Sequence, residues 1–112
     1  MADERRTDFQ REEKTVIIVL GSVSIRDAEI DRALAISQEH VNRSRAEPGC
    51  IAHGVHRDAQ APNRLVFVEK WASREDLRRH FAVPESRAFV KALADLATEP
   101  PAMEIYEASE AR

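Results

Sequence analysis

The sequence predicts an α+β domain with the element order β-α-β-β-α-β, in which an antiparallel sheet carries its helices on one face. Three observations predict it. A β-branched run, TVIIVLGSV at residues 15–23, reads as one strand, and a period-two segment, RLVFVEKW (Arg64–Trp71), reads as another. Two further stretches, one between these strands and one after them, repeat their apolar residues every three or four positions, which is the helical period.

Taken in order, the first strand is continuously apolar from Val16 to Leu20, the pattern of a strand buried on both faces or nearly so. Over residues 27–46 the spacing turns helical: Ile30, Leu34, Ser37 and Val41 form one stripe, with Asp31, Arg32 and Glu39 off it. Pro48-Gly49 stops that helix. Cys50–Arg57 then alternates, with Ile51, His53 and Val55 on one side and Ala52, Gly54 and His56 on the other. After a turn at residues 58–63, the Arg64–Trp71 strand sets Leu65, Phe67, Glu69 and Trp71 against Val66, Val68 and Lys70. Ser73 is a good N-cap with Asp76 three residues on, opening a helix that carries Leu77, His80 and Phe81. Pro84 interrupts it, and a further helical stretch runs through Phe89 and Leu93 to Leu96. Glu99-Pro100-Pro101 breaks the chain, and residues 102–107 form a last short strand.

This order is the ferredoxin-like plan, a four-stranded antiparallel sheet with its helices on one face. The opposite face has no cover of its own, yet apolar residues occupy both sides of the first and third strands. A homodimer joined through the sheet face resolves the mismatch, since a bare apolar face is a large exposed patch. Which way the Glu69/Trp71 side points, to the helices or to the partner, is open at this level.

With 112 residues there is room for one domain, expected over residues 15–107. Residues 1–14 form a polar arm whose one large apolar residue is Phe9, expected to be disordered, and residues 108–112 are expected to fray. A net charge of −3 and only six Phe, Trp and Tyr residues argue against phosphate binding or a base-stacking platform. No apolar run approaches a membrane span and no signal-peptide pattern opens the chain. A single cysteine, Cys50, forms no internal disulfide and fits a reducing, cytoplasmic setting.

Three groups of residues make the pattern specific: Ala46-Glu47-Pro48-Gly49-Cys50-Ile51, then Phe67-x-Glu69-x-Trp71-x-Ser73, then Leu77-x-x-His80. Together they resemble the antibiotic biosynthesis monooxygenase domain family, over about residues 15–106. The resemblance implies a dimeric α+β barrel and an enzyme of the quinol- and anthrone-oxidising kind, working on a small aromatic substrate and O2 without flavin, haem or metal. Two positions depart from the family pattern. His53 stands where members commonly carry Tyr, and Ser86 where many carry another His.

Such chemistry needs an apolar pocket, a group that deprotonates a phenol, and exclusion of bulk water. The catalytic candidates are therefore His80, Glu69 and Trp71. His80 is either a general base or a residue packed at its helix end, and Trp71 either stacks on a flat substrate or belongs to the core. Among its apolar neighbours, Glu69 either has a raised pKa or pairs with an Arg or Lys. The substrate-binding candidates are His53, Phe67, Phe81 and Asn63, of which His53 can equally be a satisfied sheet residue and Asn63 a turn residue. Cys50 reads as a small buried residue.

Metal binding is not expected: His53 and His56, three apart on a strand, point to opposite faces. Gly21-Ser22 lacks the repeated glycines of a phosphate loop, and no local motif calls for a cofactor. The leading reading is a cofactor-independent monooxygenase. A non-catalytic dimer binding a small hydrophobic molecule, or a stress-associated protein of the same fold, is second. A haem-degrading enzyme is third, because the first strand lacks the Asn that branch uses.

Overall fold

The computed structural model of the protein describes residues 15–111; the expected arm at residues 1–14 and Arg112 lie outside the described residues. Strand β1 (Val16–Ser24) passes through a single 3-10 turn (Asp27–Glu29) into helix α1 (Ile30–Ser44). Strands β2 (Cys50–Arg57) and β3 (Arg64–Trp71) follow, then helices α2 (Arg74–Ala82) and α3 (Pro84–Leu96), and strand β4 (Ala102–Ala108). The four strands form one antiparallel sheet in the order β2-β3-β1-β4, the ferredoxin-like arrangement expected from the element order. Ala108 was expected in a frayed end; it closes β4 instead by pairing with Val16.

The cross-strand register decides the orientation that periodicity left open. Ile17 faces Trp71, Val19 faces Glu69, Gly21 faces Phe67 and Val23 faces Leu65, and directly opposed residues share a side of the sheet. All of these except Gly21 are buried beneath the helices. The Glu69/Trp71 side is therefore the helix side. The opposite side of β1 is not buried within one chain: Leu20 is 38% exposed and Val68, beside it on β3, 41%. Strand β2 departs from simple alternation. A bulge between Cys50 and Ala52 makes Ile51 the unpaired extra residue, and its side chain is 54% exposed rather than aligned with His53.

Local chemistry accounts for the breaks. At the turn into β2, Gly49 has φ = 82°, and a Cβ there would collide with the Asp76 carboxyl. The Ser73 hydroxyl caps α2 by accepting from the Asp76 backbone N–H at 3.1 Å. Pro84 forces the residue before it out of the helical region, so Val83 is extended (φ −64°, ψ 126°) and α3 starts afresh with proline in its first turn.

Two apolar clusters hold the sheet to the helices. Val23, Ile25, Ala33, Leu65, Phe67, Leu93 and Leu96 form one, and Ile17, Val19, Trp71 and Leu77 the other. Helix α1 packs on β2 and α2 on β3, whereas β4 carries Met103 and Ile105 half exposed on the helix side, opposite Gly21 and Val19. The helices thus stop short of the β1–β4 edge. The space left there is the candidate site.

Candidate functional site

A cavity of about 510 Å³ opens between the sheet and helices α2 and α3. Phe67 from β3, Phe81 from α2, and Phe89, Val90 and Leu93 from α3 supply its apolar walls. Met103 of β4 and the bare backbone of Gly21 border it on the strand side. Its polar groups are His40, Glu69, His80 and Ser86, with Arg87 also on the lining. A volume of this size suits a ligand of two or three fused rings.

His80 comes from the last turn of α2 and is buried. Its Nδ1–H donates to Oε1 of Glu47 at 2.8 Å, which places the remaining lone pair on Nε2. Glu47 owes its position to the Glu47-Pro48-Gly49 turn between α1 and β2. On the other side of the ring, Nε2 lies 4.0 Å from Oε1 of Glu69. The imidazole is thus held between two carboxylates, an arrangement that stabilises it once it takes up a proton.

Glu69 was expected either to carry a raised pKa or to pair with an Arg or Lys, and among the described residues it does neither. Burial pushes its carboxyl up, but His53, the Trp71 indole and His80 together outweigh burial and hold it below the ordinary carboxylate range. The Trp71 Nε1–H donates to Oε1 at 2.9 Å, and His53 Nε2 lies 3.4 Å from the same oxygen, without a hydrogen bond. Trp71 is fully buried and does not line the cavity, so it offers no stacking surface. Its ring packs 4.6 Å from that of His80, while its indole N–H donates to Glu69.

Of the other candidates, Phe67 and Phe81 line the cavity. His53 lies behind the lining, 3% exposed, with neither ring nitrogen hydrogen-bonded among the described residues. It is therefore not the satisfied sheet residue that its place on β2 allowed. Asn63 is not part of the site. It sits in the turn before β3, where its side-chain amide donates to Asp27 and its carbonyl accepts from Ile25. Cys50 is half-buried against Ile17, Val19, Trp71 and Leu77, and burial, with Glu69 and Glu47 nearby, pushes its thiol up. It is no activated nucleophile.

Three contributors carry no motif of their own. His40 of α1 stacks on Phe89 with ring centroids 4.0 Å apart. Arg43 donates to its Nδ1 at 2.8 Å, so the neutral ring keeps its proton on Nε2. Burial, reinforced by His53, His80 and Arg43, lowers its pKa to about 3. Its signal was the spacing Ser37-His40-Val41-Ser44, the α1 positions that are buried together. Glu47 was visible only as part of the turn motif, and Phe89 only as one apolar residue of its helix. Ser86, noted for standing where relatives carry His, points a buried hydroxyl with no partner among the described residues, and it lines the cavity.

The rings of His40, His53 and His80 converge from α1, β2 and α2, with one nitrogen of each within 4.8 Å of the others. His53 and His56 face opposite ways as expected, since His56 is exposed while His53 is buried. The histidine cluster forms from residues that are distant in sequence.

Comparison with known proteins places this geometry in a family. Residues 16–92 match the family model described as antibiotic biosynthesis monooxygenase. An uncharacterized Synechocystis protein, sll1783, is 33% identical over 94 residues; the match covers 84% of this chain and spans 64% of that protein's length. A crystal structure described as an antibiotic biosynthesis monooxygenase is 26% identical, with a TM-score of 0.78 over 84% of this chain and 99% of its own. A conserved protein from Methanosarcina mazei Go1 shares the fold at 17% identity, with a TM-score of 0.81 over 88% of this chain and 96% of its own. Among the described residues no helix is long and apolar enough to cross a membrane.

Proposed function

Because the chain belongs to the antibiotic biosynthesis monooxygenase family, we propose that it is a cofactor-independent monooxygenase acting on a small phenolic, quinol or anthrone-like aromatic with O2. The observation that carries this reading is the cavity itself: apolar aromatic walls ending on His80, a base whose far nitrogen is held by Glu47.

The ring of the substrate lies between Phe67, Phe81 and Phe89, with its acidic hydroxyl or the enol form of an anthrone at His80 Nε2. His80 takes that proton, and Glu47 and Glu69 stabilise the imidazolium as it forms. The electron-rich anion then passes one electron to O2, and the resulting radical and superoxide combine to form a carbon–oxygen bond. His80 returns its proton to the peroxide, and for an anthrone the resulting hydroperoxide loses water. A CH2 group and O2 become C=O and H2O, and no outside reductant is consumed. Apolar walls keep bulk water from the radical pair. Ser86 is the second polar contact, its unpartnered hydroxyl available to another oxygen of the substrate.

We also infer that a second copy of the chain covers the outer sheet face, where Leu20, Val68 and Tyr106 are exposed. Oxygen uptake by flavin- and metal-free protein, measured with a panel of hydroquinones and anthrones, tests the enzymatic reading. Uptake no faster than autoxidation across the panel, with saturable binding of the same compounds, would replace it with the non-catalytic binder.

A further inference from the structure

We propose that His53, His80 and Glu69 form a binding site for a first-row divalent transition-metal ion at the side of the cavity lined by His80 and Glu69.

Three features of the structure point to it. His53 is a buried imidazole whose two nitrogens have no hydrogen-bond partner among the described residues, a situation that buried polar groups rarely tolerate. Its Nε2 lies 3.4 Å from Oε1 of Glu69, long for a hydrogen bond but close to the spacing of two ligands on one ion. His80 Nδ1–H is bound to the Glu47 carboxylate, the outer partner that orients a metal-bound histidine and frees Nε2 to coordinate. Glu69 is a buried carboxylate that pairs with no Lys or Arg among the described residues. A cation between it and the two rings supplies the missing counter-charge.

Two of the three edges already fit. Donors about 2.1 Å from a shared ion lie at most about 4.2 Å apart. The two edges from Glu69, at 3.4 and 4.0 Å, are within that limit. One nitrogen of His53 and one of His80 lie within 4.8 Å of each other, so the histidine edge closes only with rotation of a ring. His40 is not a ligand in this tautomer, because Arg43 occupies its Nδ1 and the proton stays on Nε2. Its neutrality keeps a further positive charge away from the ion, while Glu69 and Glu47 together balance a divalent one. Two imidazoles and one carboxylate suit Zn2+, Co2+ or Fe2+ rather than Mg2+ or Ca2+.

The ion takes the same Nε2 lone pair that serves as base in the proposed reaction, so the two occupancies exclude each other. Binding is nevertheless read without turnover, and its failure would leave the oxygenase reading intact. Chelator-stripped full-length protein is titrated with Co2+ while its visible d–d absorption and, separately, its melting temperature with Zn2+ are followed. Saturation at one equivalent per chain with a rise in melting temperature is expected. His53→Asn and Glu69→Gln keep side chains of similar size and are expected to lose the signal, with circular dichroism reporting that each has folded. His56→Ala, on the outer face, is expected to keep it. No saturable Co2+ or Zn2+ binding by the parent protein would overturn the proposal. Binding that survives His53→Asn and Glu69→Gln, or is lost in His56→Ala, would overturn it too.

Discussion

Nδ1 of His80 lies 2.8 Å from Oε1 of Glu47, joining the last turn of α2 to the turn that precedes β2. Thirty-three residues separate them along the chain. The contact fixes the ring tautomer and turns a buried histidine into a directed acceptor. If His80 is the base of the proposed reaction, His80→Ala lowers oxygen uptake by about 10²-fold or more. Glu47→Gln can still accept from Nδ1–H through its amide oxygen and keeps more activity than Glu47→Ala. Equal losses in the two Glu47 variants would show that orientation of the ring is not what Glu47 contributes.

Trp71 supports Glu69 rather than the substrate. Trp71→Phe keeps most of the ring but deletes the N–H that the carboxylate accepts at 2.9 Å. A hydrogen bond to a charged group contributes about 1.5–3 kcal/mol, so urea denaturation should show a loss of that order. A variant as stable as the parent would mean that water or a neighbouring side chain replaces the indole.

Gly21 borders the cavity on the helix side of β1. A Cβ at this position meets Phe67 Cβ at 3.6 Å, ordinary van der Waals contact, so a side chain can be accommodated near the backbone but must extend into the cavity. Gly21→Leu is expected to raise KM or abolish oxygen uptake while the melting temperature changes little. Unaltered kinetics would place the substrate elsewhere.

Acid should weaken the metal-free protein earlier than carboxylates alone predict. His40 titrates near its ordinary 6.5 when unfolded but about 3 when folded, so below about pH 6.5 the unfolded chain binds a proton that the folded chain refuses. Stability from this residue is complete above 6.5 and falls toward pH 3, by on the order of 1 kcal/mol per pH unit. Glu69, whose pKa is lowered by folding, adds a loss of the same sign only below its ordinary value of 4.5. Urea midpoints between pH 7 and 5 should therefore drop in the parent and stay flatter in His40→Gln. Matching slopes would mean that His40 is not buried neutral in solution.

For the outer sheet face, light scattering is expected to report a dimer, and Val68→Lys to shift it toward monomer by burying a charge in the interface. A monomeric parent protein at micromolar concentration would leave Leu20 and Val68 without the proposed cover.

Much of this molecule follows from local pattern. Residue types alone marked β2 and β3 at the bounds observed, because alternation and a Pro-Gly stop are short-range signals. The same holds for the Ser73 cap and the break at Pro84. They also marked His80, Glu69, Phe67 and Phe81, each carried by a motif or by its place on a strand or helix. Only the tertiary structure decided that the Glu69/Trp71 side lies under the helices, since a period of two distinguishes two faces without saying which is covered. It also brought His40, His53 and His80 together, moved Asn63 out of the site and gave Trp71 to Glu69. Those outcomes depend on register and on helix placement over the sheet, which set distances between residues far apart in the chain.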